Sequence, residues 1–137
     1  GTKTGLLFGE AVVAHPGLLP HFFTLVKQHG ALLAKGRLLG LQFETLFTDG
    51  LYLRIARQAI TTARRLREAL LRKGYRPYID SPTNQLFFVL PNSEIDRLSQ
   101  YATFELWGAR GKEESVVRFV TSWATGEQQV DELIARL

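Results

Sequence analysis

The chain contains neither cysteine nor methionine. Without cysteine, disulfides and thiolate-bound zinc are both excluded. Without methionine the chain has no initiator of its own; processing before Gly1 accounts for that, and so does a piece of a longer protein. Histidine is scarce as well. His15, His21 and His29 are too irregularly spaced to share a helix face, and no carboxylate joins them in a ligand pattern, so no metal site is expected. No apolar run approaches the roughly 20 residues of a membrane span, and the opening segment lacks the charged-then-apolar order of a secretory signal. GxSxG, HExxH and a usable Ser-His-Asp order are also missing. These absences predict no membrane partner and a cytoplasmic setting.

What is present is globular in composition, with 45% hydrophobic and 22% charged residues, enough to build a core and a solvated surface. The net charge of +4 sits largely in RIARQAITTARRLREALLRKGYR, from Arg54 to Arg76. Such a stretch is either the solvated face of an amphipathic helix or a contact for an anionic partner such as RNA. No recognition motif or stacking-aromatic pattern accompanies it, so the helix face is the expectation and no nucleic-acid partner is predicted. A basic α/β binding or interaction module without catalysis stands as the alternative.

Along the chain, EAVVAH (10–15) is a short apolar run that predicts a buried strand, ended by Pro16-Gly17. The pattern from Leu18 to about Phe47 is helical and predicts two shorter helices with a break near Gly30 to Gly36. A long helix follows, roughly 51–73, with Tyr52, Ala56, Ala59, Ala63, Leu66 and Leu70 on one face and Gly74 as its stop. After it come QLFFVL (85–90) as a strand and a short helix capped by Asn92 or Ser93. TFELW (103–107) and SVVRFVT (115–121) read as a strand pair. Thr125 to Gln128 has capping-box spacing, and the closing helix turns Val130, Leu133, Ile134 and Leu137 inward. The predicted class is α/β: a helical first half, a long connecting helix, and a small α+β layer of sheet and helices.

Two cations stand out. Arg118 lies inside VVRFV, where a charge is costly unless paired or exposed. It is either a surface or edge-strand residue, ion-paired across the hairpin to Glu105, or a guanidinium aimed at a bidentate anion, most simply a carboxylate. Lys3, in GTKTG, is either a solvated terminal lysine or a Schiff-base lysine on a tight turn. The Walker pattern does not fit GTKTG. Glu113-Glu114 reads as an exposed turn.

GTKTGLLFGEAVV resembles the lysine-bearing segment of the threonine aldolase and β-eliminating lyase family, pyridoxal-phosphate enzymes of the aminotransferase-like fold. KQHGALLAKGRLLGLQFETLF, the long basic helix, SPTNQLFFVLP and VVRFVTSWAT agree with it in order, and the likeness is strongest to the low-specificity L-threonine aldolase branch. The resemblance implies that Lys3 forms the Schiff base with pyridoxal phosphate, with Thr2 beside it in the cofactor site. It implies further that Arg118 grips the substrate α-carboxylate, that Arg37 lies near the cofactor phosphate, and that Asn84 lines the small-domain side of the site. The implied activity is cleavage of β-hydroxy-α-amino acids to glycine and an aldehyde, in a homo-oligomer. The implied domains are the tail of the large cofactor-binding domain (1–50), a connecting helix (51–74) and a small C-terminal α+β domain (75–137). In that family the ring that stacks on the cofactor, the aspartate on its pyridine nitrogen and most phosphate ligands precede the lysine. The chain is therefore expected to be a C-terminal portion, inactive without the missing N-terminal part, with Leu32, Leu33, Leu38, Leu39 and Phe43 left uncovered.

Overall fold

The computed structural model describes residues 1–137, in two compact units, Gly1–Tyr52 and Leu53–Leu137. The first unit opens on a single 3-10 turn, Thr2–Thr4, closed by Gly5 at φ 93°, whose N–H donates to the Thr2 carbonyl. Only glycine takes that φ without strain. The predicted pair of helices forms as α1 (Phe22–Gln28) and α2 (Arg37–Phe47), separated over 29–36. Gln42 on α2 accepts from the Leu7 N–H at 2.8 Å and tethers the opening segment. Gly9 passes so close to Leu39 that a Cβ would sit 2.6 Å from its Cδ2.

Residues 10–15 are not the strand their apolar run predicts; they are loop, exposed throughout. A strand needs a partner for its N–H and C=O groups, and all four strands of the protein belong to the second unit. In the first unit only Leu6 and Leu46 are buried, whereas Leu7, Val12, Val13, Leu18, Phe23 and Leu38 are each more than 60% exposed. Leu32 and Leu33 are exposed as expected; Leu39 and Phe43 are half-covered, and Phe43 stacks on Phe47.

The second unit is built on α3 (Leu51–Arg72), whose buried stripe is Ala59, Thr62, Ala63, Leu66, Ala69 and Leu70. Tyr52, placed on that stripe by spacing, is exposed. Gly74, at φ 85°, ends the helix as expected. The sheet then runs β1 (Arg76–Ile79), β2 (Gln85–Pro91), β3 (Glu105–Leu106) and β4 (Glu114–Val120), all antiparallel in the order β1-β2-β4-β3. β1 is a strand the pattern did not predict. It is a four-residue edge carrying Pro77 and a register irregularity, which is where a sheet tolerates proline.

α4 (Asn92–Leu98) and α5 (Glu127–Ile134) complete the helices. Neither the Asn92 nor the Ser93 side chain caps α4. Asn92 instead donates to the Gly111 and Lys112 carbonyls and accepts from the Ser115 hydroxyl, pinning the β3–β4 connection. The α5 cap also falls one residue later than predicted: Gln129 accepts from the Gly126 N–H, and Thr125 accepts from the Ser122 N–H.

One face of the sheet packs Leu86, Phe88, Leu90, Val117 and Phe119 against Ala63, Leu66 and Leu70 of α3, Ile95 and Leu98 of α4, and Val130 of α5. At the α4 edge of this core, Tyr75 donates to Glu94, and Arg97 holds the same carboxylate while also donating to the Arg136 carbonyl. The Arg97 hydrogen bonds, seconded by that of Tyr75, hold the Glu94 carboxyl below its ordinary range. Burial, reinforced by Glu94, pushes the Tyr75 phenol up. No helix is long and apolar enough to cross a membrane.

Candidate functional site

The other face of the sheet carries Arg118. Ser115, Val117 and Phe119 alternate into the core, which leaves Val116, Arg118 and Val120 half-buried on the opposite side. Register places Arg118 between two partners, Phe87 on β2 and Glu105 on β3. Its Nη1 donates to Gln85 Oε1 at 3.0 Å and its Nη2 donates to Glu105 Oε2. Its Nε is buried with no hydrogen-bond partner. Trp107 lies under the guanidinium, 5.1 Å from Cζ to the ring centre, and sets its edge against Phe87. The side chain is 23% exposed and its Glu105 partner 62%, so the cation faces outward through a half-open rim.

The ion pair to Glu105 anticipated across the hairpin is thus formed, and it leaves the Nε donor unpaired. Gln85 and Trp107 were not anticipated. Alternation puts Trp107 on the face of Glu105, but Gln85 comes within reach only once β2 is aligned on β4.

Asn84 lies at the end of β2, beside this cluster in the sheet but facing the chain behind it. Its side chain donates to the Thr121 carbonyl at 2.6 Å, its own carbonyl accepts from the Thr121 N–H, and the Thr121 hydroxyl donates to the buried Ala59 carbonyl of α3. This clasp fixes the end of β4 three residues past Arg118. Lys3, Thr2 and Arg37 belong to the first unit. All three are exposed, Lys3 on the 3-10 turn and Arg37 as the first residue of α2, and neither cation has a side-chain partner.

The basic side of α3 is largely compensated from within: Arg65 pairs with Glu127 and Asp131, Arg67 with Asp80, and Arg72 with Glu68. A cleft of about 400 Å³ next to it is lined by Arg64, Arg67, Asp80, Ser81, Pro82, Thr83 and Leu86.

A solved structure of the Leishmania major threonine aldolase superposes on this fold with a TM-score of 0.80 and 34% identity over 87% of the chain. The chain is threonine aldolase-like. It spans 35% of the length of that aldolase. No protein-family profile and no curated protein matches it. The likeness accounts for the mixed α/β class, in which helices and a four-stranded antiparallel sheet share one core.

Proposed function

We propose that this threonine aldolase-like chain is the lysine- and arginine-bearing portion of a pyridoxal-phosphate-dependent lyase. The intact enzyme would cleave β-hydroxy-α-amino acids, threonine among them, to glycine and an aldehyde. The observation that carries the reading is the likeness to a threonine aldolase over 87% of the chain. Because the chain spans 35% of that enzyme, the rest of the cofactor site belongs, in this reading, to sequence outside it. Residues 1–50 are then the tail of the large domain, 51–74 the connecting helix and 75–137 the small domain, in a cytoplasmic homo-oligomer.

The residues present fit the cofactor and its substrate. The Lys3 amine is exposed and unpartnered on a glycine-closed turn, free to reach an aldehyde carbon. Arg118 offers a planar fork with one buried donor still unpaired, which suits a carboxylate. Bound pyridoxal phosphate supplies the electron sink for the pair released as the Cα–Cβ bond breaks.

Lys3 would hold the cofactor through Nζ, with Arg37 and Thr2 supporting it from the same unit. Arg118 holds the substrate α-carboxylate and thereby fixes Cα. Trp107 shields one guanidinium face from water, and Asn84 keeps β4 in place from behind. By itself the chain lacks most of this site and is catalytically inert. Binding of an anionic partner by α3 is the weaker reading, because three of its arginines are already paired.

Grafting the chain in place of the matching stretch of the Leishmania enzyme tests the proposal. The chimera is expected to release glycine from threonine. Lys3→Ala should abolish turnover, and Arg118→Lys should raise KM about ten- to a hundred-fold, the range for losing a charge-assisted bidentate contact. A chimera that folds and takes up pyridoxal phosphate, yet works equally well with both substitutions, would overturn it.

A further inference from the structure

We propose that Glu105 is a resident carboxylate on Arg118, occupying the place of a ligand's carboxylate, and that a ligand gains the guanidinium by displacing it. The proposal rests on the reading of Arg118 as a carboxylate-binding residue.

A guanidinium presents two adjacent donors along one edge, Nε–H and the neighbouring Nη–H, and a free carboxylate takes both at once. On Arg118 the Nη1 is taken by Gln85, Nη2 is taken by Glu105, and Nε is buried with nothing to accept its proton. Glu105 therefore satisfies one donor of the arginine and leaves another desolvated and unpaired, an arrangement that costs free energy. A ligand carboxylate that replaces Glu105 on Nη2 brings a second oxygen that is free to turn toward Nε.

What keeps Glu105 in place is tethering. It stands directly opposite Arg118 on a strand two residues long. Its side chain is 62% exposed and makes no other hydrogen bond or ion pair, so nothing hinders its release into water. Gln85 and Trp107 would continue to orient the guanidinium after Glu105 leaves, the first by its hydrogen bond and the second by its ring. Without a ligand, Glu105 spares a half-buried cation from standing unpaired. With one, it sets a threshold: a ligand lacking a bidentate anionic group offers Arg118 nothing better than what it already holds. Glu105 is thus a specificity-determining residue that acts through Arg118.

The test uses the 137-residue chain with ¹⁵N-labelled arginine. The Arg118 Nε–H resonance, assigned by its loss in Arg118→Lys, is followed while sodium acetate is added, against sodium chloride at equal ionic strength. Glu105→Gln is expected to bind acetate about three- to ten-fold more tightly than the unaltered chain, the scale of one removed charge-assisted competitor. Glu105→Asp, which keeps the charge on a shorter stem, should fall between them and serves if the glutamine variant is poorly folded. Equal acetate affinity in all three proteins would overturn the role of Glu105 and leave Arg118 as a carboxylate binder. An Arg118 resonance indifferent to acetate in every protein would remove both readings together.

Discussion

The two units of this chain spend their apolar residues very differently. The second encloses an eleven-residue core between a sheet and three helices, with Leu70, Leu90, Leu98 and Val117 fully inaccessible. The first is richer in leucine, phenylalanine and valine for its length but buries two of them, Leu6 and Leu46. Helices form in both, because helical hydrogen bonds close within a segment. Sheet forms only where segments find partners and a shared apolar layer. The contrast shows that sequence pattern specifies elements more widely than it specifies a core.

Substitutions at matched leucines sharpen this contrast most strongly. Leu70→Ala should lower the unfolding free energy of the second unit by about 3–4 kcal/mol, the usual range for a leucine emptied from a closed core. Leu7→Ala, at a site 84% exposed, should stay within about 0.5 kcal/mol. Denaturant titration followed by tryptophan fluorescence reads the Leu70 variant, since both tryptophans, Trp107 and Trp123, belong to the second unit, and far-UV circular dichroism along the same titration reads the Leu7 variant.

A smaller effect is expected from Thr121→Val. It deletes the hydroxyl that donates to the Ala59 carbonyl and should cost about 1–2 kcal/mol by the same titration. If the clasp positions β4, the Arg118 side-chain resonance should shift as well, whereas a purely local loss would leave it in place.

The smallest effect concerns pH. Glu94 is held below its ordinary carboxyl range by Arg97 and Tyr75, so its contribution is present above the unfolded-state value and is lost as pH falls through the folded one. The Tyr75 phenol is displaced upward, so its contribution is complete at neutral pH and declines only as alkali ionises it. Glu94→Gln should flatten the acid limb of the second unit's stability profile. An acid limb of unchanged steepness would show that other carboxylates dominate it.

Much of the second unit was legible in the sequence because its signals are local. The three-and-four spacing of Ala59, Ala63, Leu66 and Leu70 marks α3, Gly74 marks its end, and alternation in QLFFVL and SVVRFV marks the two central strands. β1 escaped notice because a proline-bearing edge strand has no buried face to print a period on the sequence. Residues 10–15 misled for the converse reason: the run is apolar enough for a buried strand, but the unit holds no strand to pair with it. The shifted cap of α5 reflects two adjacent residues competent for one role, Thr125 and Gly126.

At the candidate site, Arg118 announced itself as a charge among valines, and Glu105 followed from hairpin pairing. Gln85 and Trp107 depend on the register of three strands and could not be read before the sheet was assembled. Lys3 stood out by its place in GTKTG, but only the family resemblance chose between its two readings, since an exposed lysine between glycines carries no physical signature of its own.

Lys3 is therefore where the account is most directly tested. The chimera carrying this chain within the Leishmania aldolase would be incubated with pyridoxal phosphate, reduced with borohydride and digested, and the pyridoxyl-lysine located by mass spectrometry. The label is expected on the peptide containing Lys3, and is expected to be lost in Lys3→Ala. Label on Lys27 or Lys35, or turnover with Lys3 unmodified, would contradict it.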